Sequence, residues 1–381
     1  MTVRRASLLI HRWLGLGVGA LVALLGVTGS VLVYGDAIDR ALNPGLLVVE
    51  PVGERAPPGE ALRVARARLD GLEARSIGLP FEPDGPYVVY GAVDGEQIEA
   101  YVDPYRETLL GTRPHDSGFV GTTFALHAEL LGGEAGHQVV GWLGVVLLIL
   151  AVTGIVVWWP RLARLGRAVW VRWSGSGRRV NYDLHRAAGF WTSAYLIVLA
   201  ATGAGLVFYG PVGSGLNAVT GSESMAPPPT TVETPVRDPV AAIDRGWGAA
   251  TSALPDARFS FVSLPGEETG PIAFRGKRPA ELHPNGRSYV WTDGAGRVVR
   301  VADATAADVG PRILHALWPV HIGVFSIGPI GPDAVRAVWA ALGLAPLGLG
   351  ITGFLVWWLR RRREAGASRA SRARREREVE A

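Results

Sequence analysis

The sequence predicts an α-helical membrane protein with four transmembrane helices in two parallel repeats, and with two extracytoplasmic α+β modules between the helices. Three observations support this fold class. The 381-residue chain is 48% hydrophobic, four apolar stretches are long enough to cross a bilayer, and motifs of the first half recur in the second. The chain has no cysteine, which excludes disulfides, cysteine-ligated iron–sulfur clusters and haem attached through a C-x-x-C-H motif.

The four apolar stretches are the predicted membrane spans. A bilayer core requires about 20 residues of helix at a rise of ~1.5 Å per residue. The spans cover approximately residues 13–34, 139–159, 187–209 and 337–359. Two of them end in paired tryptophans, Trp158-Trp159 and Trp357-Trp358, which are typical of the membrane interface.

Arginine clusters beside alternate span ends predict the orientation. They are Arg4 and Arg5, then Arg161, Arg164, Arg167, Arg172, Arg178 and Arg179, and finally Arg360 to Arg363. Positively charged loops remain in the cytoplasm, so we expect both termini there. The predicted segments are helices at 1–36, 126–160, 185–210 and 315–360, extracytoplasmic modules at 37–125 and 211–314, a basic cytoplasmic loop at 161–184, and a charged cytoplasmic tail at 361–381. The tail is expected to be disordered or loosely helical, and we predict no nucleic-acid partner.

The internal repeat relates the first span to the third and the second span to the fourth. Leu9-Ile10-His11-Arg12 precedes the first span, and Asp183-Leu184-His185-Arg186 precedes the third. The pairs Thr28-Gly29, Thr153-Gly154, Thr202-Gly203 and Thr352-Gly353 occupy matching positions in the four spans. Small residues and threonine hydroxyls favour close helix packing in membranes, and we assign the Thr-Gly pairs to that role.

Each module is predicted to contain one helix and a short hairpin sheet. The strands are 87–90, 97–102 and 107–110 in the first module, and 287–292 and 297–301 in the second. The helices are 61–70 and 240–253, and the Pro- and Thr-rich stretch 226–235 is a linker.

Six of the eight histidines flank the spans. His11 and His185 lie at the predicted cytoplasmic ends, whereas His127, His137, His315 and His321 lie at the predicted outer ends. An ionisable side chain at membrane depth is costly and is usually paired or functional. Two equivalent histidines from facing helices would supply both axial ligands of one haem iron.

Other interpretations of these residues remain open. A single histidine could bond a headgroup or a carbonyl at the interface, and imidazole also suits zinc and copper. His127 and His321 align between the halves, but His137 or His315 could replace either one as a ligand. Arg12 and Arg186 could pair with haem propionates or contribute only to the positive-inside charge.

These motifs, in this order, resemble those of the PepSY-associated transmembrane proteins, which include ferric-siderophore reductases of the bacterial inner membrane. The resemblance implies that the two modules are PepSY-like. It also implies two haem b groups, one held by His11 and His185 and the other by His127 and His321. Electrons would then pass outward to a ferric siderophore or another iron chelate and release Fe²⁺.

The sequence therefore leads to competing functional hypotheses. The first is a transmembrane oxidoreductase that takes electrons from quinol or a redox partner, since no nucleotide-binding motif is present. Its basic residues Arg275, Lys277, Arg278 and Arg287 would attract an anionic chelate, although a solvated strand surface would explain the same residues. The alternative is a non-enzymatic anchor in the lipid bilayer that presents its modules to a partner such as a peptidase. A transporter is disfavoured because the spans are nearly free of charge.

Overall fold

The structure is a computed structural model that describes residues 2–159 and 165–380. The predicted loop arginines Arg161 and Arg164 lie outside the described residues. The chain forms two compact units, which we call the helical unit (Met1–Val33, Leu126–Val207 and His321–Ala381) and the sheet unit (Tyr34–Ala125 and Phe208–Val320).

The helices of both units are numbered in chain order. They are α1 (Val3–Leu32), α2 (Gly35–Leu42), α3 (Pro44–Leu47), α4 (Pro58–Arg68), α5 (Gly118–Glu129), α6 (Gly133–Trp158), α7 (Leu165–Ala168), α8 (Gly177–Val207), α9 (Tyr209–Thr220), α10 (Pro239–Ala253), α11 (Val309–Ile322), α12 (Pro332–Gly343) and α13 (Ala345–Glu380). The strands are β1 (Glu73–Gly78), β2 (Tyr87–Val93), β3 (Glu96–Asp103), β4 (Thr108–Pro114), β5 (Arg258–Ser263), β6 (Ile272–Lys277), β7 (Ser288–Thr292) and β8 (Val298–Ala302).

The helical unit contains four helical segments that are long and apolar enough to cross a membrane, as the sequence predicts. They are Val3–Leu32, Gly133–Trp158, Gly177–Val207 and Pro332–Ser368. Helix α1 packs against α6 and α13, and α8 packs against the same two helices. Glycine allows close contact in this bundle, because a Cβ on Gly26 of α1 would lie 2.6 Å from the Gly343 carbonyl oxygen.

The helix ends differ from the predicted spans in ways that affect the histidines. Helices α1 and α8 begin before His11 and His185, so both residues lie within continuous helix. His127 and His321 lie on the separate helices α5 and α11. The charged C-terminal segment, for which disorder or loose helix was expected, continues α13 as far as Glu380.

A buried carboxylate organises the first turns of α8. Asp183 is fully buried, and arginines 172, 179 and 186 place side-chain nitrogens 3.6, 3.3 and 3.2 Å from its carboxylate oxygens. Because a carboxylate without partners would be costly in this environment, these ion pairs account for the extension of the helix before the apolar span.

The sheet unit contains one continuous antiparallel sheet of eight strands in the order β4-β3-β2-β1-β5-β6-β7-β8. The predicted strands and the helices α4 and α10 are confirmed, but β1, β5 and β6 were not predicted. The two predicted modules contribute four strands each, and pairing of β1 with β5 joins them. Because helices α4 and α10 also pack against each other, the two modules share one core.

The β1–β5 pairing generates a prediction about cooperativity. Ile77 is fully buried and lies opposite Val262 at this junction, so Ile77→Ala should cost ~2–5 kcal/mol of unfolding free energy. The control Val299→Ala, on the exposed face of β8, should change it by less than about 0.5 kcal/mol. Near-ultraviolet circular dichroism of the detergent-solubilised protein measures both. If Ile77→Ala split the sheet-unit transition into two, the modules would not share a core.

Candidate functional site

Two histidine pairs lie within the helical unit. The ring centroids of His11 and His185 are 6.2 Å apart with an interplanar angle of 70°. Those of His127 and His321 are also 6.2 Å apart, with an angle of 49°. These are the pairs that the internal repeat predicts, so the structure brings together residues from both halves of the chain at two places.

The hydrogen bonds of His11 determine its tautomer. Its Nδ1 lies 3.0 Å from the Leu150 carbonyl oxygen and 3.3 Å from Thr153 Oγ1. A carbonyl only accepts, so we assign the proton to Nδ1. The Nε2 atom then keeps a free lone pair, which is the form of imidazole that binds metals.

The other three histidines have the same hydrogen-bonding environment. Their Nδ1 atoms lie 3.0 Å from Thr28 Oγ1 for His127, from Thr352 Oγ1 for His185, and from Thr202 Oγ1 for His321. Each threonine hydroxyl donates its own proton to a carbonyl of its helix, so it accepts from the histidine Nδ1–H. All four imidazoles are therefore held in one tautomer, each by a different membrane-spanning helix.

The glycine after each threonine lies against the histidine ring. A Cβ on Gly29 or Gly203 would lie 2.9 Å from Cε1 of His127 or His321. On Gly353 and Gly154 the corresponding distances to Cε1 of His185 and His11 are 3.0 and 3.1 Å. These contacts are tighter than a side chain normally allows, so glycine permits the rings to approach.

Each spanning helix therefore contains one five-residue motif, Leu-x-x-Thr-Gly, whose threonine and glycine contact a histidine ring. We call this motif the histidine cradle. Its four copies begin at Leu25, Leu150, Leu199 and Leu349. The sequence predicted only helix packing for the Thr-Gly pairs, and their contact with histidine was missed. The sequence did contain a signal for these contacts. It has four Leu-x-x-Thr-Gly motifs and four flanking histidine positions that match between the two halves.

The two pairs lie at different positions along the helices. In α1, 17 residues separate His11 from Thr28, which holds His127, and 17 separate His185 from Thr202 in α8. At ~1.5 Å per residue this corresponds to about 26 Å along the helix axis, close to the ~30 Å thickness of a bilayer core. The pairs therefore lie near opposite ends of the spanning helices.

The spacing within each pair fits two ligands on opposite sides of one metal ion. Imidazole nitrogens about 2.0–2.1 Å from a metal between them place the ring centroids roughly 6 Å apart. The described residues contain no group of three or more histidine, aspartate or glutamate side chains suited to a metal. A haem fits this donor set better than zinc, because the macrocycle supplies the remaining four nitrogen ligands.

The alternative ligands His137 and His315 have other contacts among the described residues. His137 Nδ1 is 3.2 Å from the Ala128 carbonyl oxygen, and His315 lies in the sheet unit. The ring contacts of the described residues include no imidazole partner for either.

The arginines beside the first pair have different environments. Arg12 has a buried Nε without a hydrogen-bond partner among the described residues, and its guanidinium lies 5.1 Å from the Trp13 ring centroid. Arg186 forms an ion pair with Asp183 and donates to the Trp170 carbonyl oxygen. Arg12 is therefore the better candidate to bind an anionic group such as a propionate.

Four apolar helices with two paired-histidine sites define a polytopic membrane protein with candidate metal-cofactor sites. The chain belongs to the family described as the PepSY-associated TM region, which matches residues 8–360. A search of curated proteins found no match to the chain.

The glycine contacts predict a position-specific effect on stability. Gly29→Ala should lower the free energy of unfolding by ~1–3 kcal/mol, because the new methyl group would displace the His127 ring. Gly19→Ala, in the same helix with nothing within 4 Å of the added Cβ, is the matched control. Thermal unfolding in detergent measures both changes, and equal melting temperatures for the two variants would contradict the cradle assignment.

Proposed function

We propose that the chain is a haem b-containing electron-transfer protein of the bacterial inner membrane, and that it reduces a ferric siderophore or another ferric chelate on the outer face. The observation that carries this proposal is the pair of histidine sites, each with 6.2 Å between ring centroids. A haem b bound at each pair supplies one-electron redox chemistry near each membrane face.

The residues around each pair hold and orient the ligands. The threonine hydroxyl, joined at His11 by the Leu150 carbonyl, holds the proton on Nδ1, which would leave Nε2 free to bind a haem iron and would raise the basicity of the ligand. The apolar helices exclude water from the rings, and Arg12 provides a positive charge beside the His11–His185 pair. The two pairs divide the membrane crossing into shorter electron-transfer steps.

The electron balance of the reaction sets the stoichiometry. Each ferric ion accepts one electron and leaves its chelate as the more weakly held Fe²⁺. A quinol donor delivers two electrons and releases two protons, so one quinol reduces two ferric ions. A reduced redox partner would deliver the same electrons singly. By the arginine distribution, His11 and His185 are nearer the cytoplasm and His127 and His321 are nearer the outer face.

Replacing individual histidines should remove the haems separately. We expect His11→Ala or His185→Ala to lose about half of the reduced α-band absorbance, and His127→Ala or His321→Ala to lose the other half, since each haem needs both axial ligands. His137→Ala, which removes a ring bound to a backbone carbonyl, is the control and should retain both haems. A colourless wild-type protein after haem supplementation would rule out the proposed function and favour a display anchor.

The threonines should affect redox potential more than haem content. Thr352→Val removes the hydroxyl that lies 3.0 Å from His185 Nδ1 but leaves the histidine and its contact with Gly353 in place. The ligand becomes less basic, so we expect the midpoint potential of one haem to rise while the haem is retained. Thr28→Val should do the same to the other haem. Thr123→Val, where the hydroxyl bonds the Phe119 carbonyl instead, is the control in a spectroelectrochemical titration. If both potentials stayed unchanged in Thr352→Val and Thr28→Val, the threonines would have only a packing role.

A further inference from the structure

Two arginines of the sheet unit lie together without a carboxylate partner. Arg275 on β6 donates from Nε to the Gly286 carbonyl oxygen at 2.9 Å, and its Nη2 lies 3.3 Å from His283 Nδ1. Arg287 has a buried Nε with no hydrogen-bond partner, and its guanidinium lies 6.0 Å from the Tyr209 ring centroid. Among the described residues, neither arginine forms an ion pair.

Two histidines share this environment. Only 5% of His283 is exposed. Its Nδ1 accepts hydrogen bonds from the Asn285 backbone N–H and from Arg275, so its Nε2 carries the proton and is a donor. Burial, followed by the charges of Arg287 and Arg275, lowers the pKa of His283 to about 3. The same causes lower the pKa of His315 to about 4.

Glu281 compensates these arginines only in part. Its Oε1 accepts from the Arg278 backbone N–H at 3.0 Å and from Ser288 Oγ at 2.7 Å. Its Oε2 accepts from the backbone N–H of Arg287. The charge of Glu281 acts to raise the pKa of Arg275, but burial outweighs it and lowers that pKa. Among the described residues Glu281 forms no ion pair with either guanidinium group.

Two other arginines of the sheet unit are compensated by carboxylates. Arg113 pairs with Asp39 and Glu99, each at 2.8 Å. Arg278 pairs with Asp256 at 3.0 Å and also with Asp303. Although the sequence grouped Arg278 with Arg275 and Arg287, the structure divides them into one neutralised arginine and two that are not.

We propose that Arg275 and Arg287, with His283 and His315 beside them, form an oxyanion site that binds the carboxylates of an anionic metal chelate. Like charges held close together in a partly buried site are unfavourable, and a bound carboxylate would compensate them through the planar guanidinium donors. That the bound metal is ferric iron rests on the proposed function. The binding of the anion does not.

Binding of gallium(III) citrate to the full-length protein in detergent tests the site without electron transfer, because gallium(III) is not reduced under these conditions. Isothermal titration calorimetry should show affinity about tenfold or more weaker for Arg275→Met and for Arg287→Met, since each removes charge-assisted hydrogen bonds. Arg278→Met removes the same charge from a paired position and should change affinity by less than about twofold. Arg287→Lys, which keeps the charge but not the planar donors, should lie between wild type and Arg287→Met.

Three results would overturn the proposal. Equal weakening by Arg278→Met would indicate general charge attraction, and unchanged binding in both Arg275→Met and Arg287→Met would exclude the site. Loss of haem absorbance in Arg287→Met would assign the arginine to haem retention. Melting temperatures of all variants identify misfolding, and Arg287→Lys provides the measurement if Arg275→Met does not fold.

The source of the oxyanion is tested in nanodiscs of phosphatidylcholine with and without phosphatidylglycerol. Equal gallium citrate affinity in both supports a soluble chelate, whereas competition by phosphatidylglycerol that disappears in Arg287→Met would assign the site to a lipid phosphate.

Failure of the oxyanion site can be distinguished from failure of the proposed function. If the protein is colourless but Arg287→Met still weakens citrate binding, the oxyanion site stands and the proposed electron transfer fails. If the protein binds haem but citrate affinity is unchanged in both arginine variants, electron transfer stands and the oxyanion site fails.

Discussion

The hydrogen bond from each histidine Nδ1 to a threonine hydroxyl of a neighbouring helix is the interaction on which the helical unit depends. It determines the tautomer of the ring, because the threonine donates its own proton to a carbonyl of its helix and accepts from the histidine. For His11 the Leu150 carbonyl is a second acceptor, and the glycine of each motif leaves room for the ring. A buried imidazole without such a partner would be costly at membrane depth. The constraint therefore accounts for why the same five-residue motif is present in every spanning helix.

The contacts between histidines and Leu-x-x-Thr-Gly motifs also link neighbouring helices of the bundle. Helix α1 contributes His11 to the cradle of α6 and carries the cradle that holds His127 of α5. In the second repeat, α8 contributes His185 to the cradle of α13 and holds His321 of α11. Helices α1 and α8 therefore each contribute one histidine to the motif of a neighbouring helix, and each contacts a second histidine through its own motif. Because the same contacts position the ligands and pack the helices, a ligand bound between the histidines would stabilise the bundle as a whole.

The sequence predicted the parts of this arrangement that have a local or periodic signal. Long apolar runs identified the four spans, and the repeat paired His11 with His185 and His127 with His321. It did not predict which side chains support the rings, because spacing along one helix does not say which neighbouring ring meets Thr28 or Gly29. Nor did it predict that β1 and β5 join the two modules, since a pairing between Ile77 and Val262 leaves no short-range pattern. The burial of His283 depends on the same long-range packing.

The two halves of the chain differ in how their arginines are paired with carboxylates, even where the surrounding residues are repeated. In the helical unit the repeat places an arginine after each of His11 and His185, but aspartate replaces Leu9 at the equivalent position 183 and pairs with Arg186. In the sheet unit Arg113 has two carboxylate partners, whereas Arg287 has none among the described residues. A surface arginine without a partner would be unremarkable because water compensates its charge. The buried Nε atoms of Arg12 and Arg287 have no hydrogen-bond partner among the described residues, so in the proposals above these two arginines, and not the count of arginines, are the candidates to bind an anion.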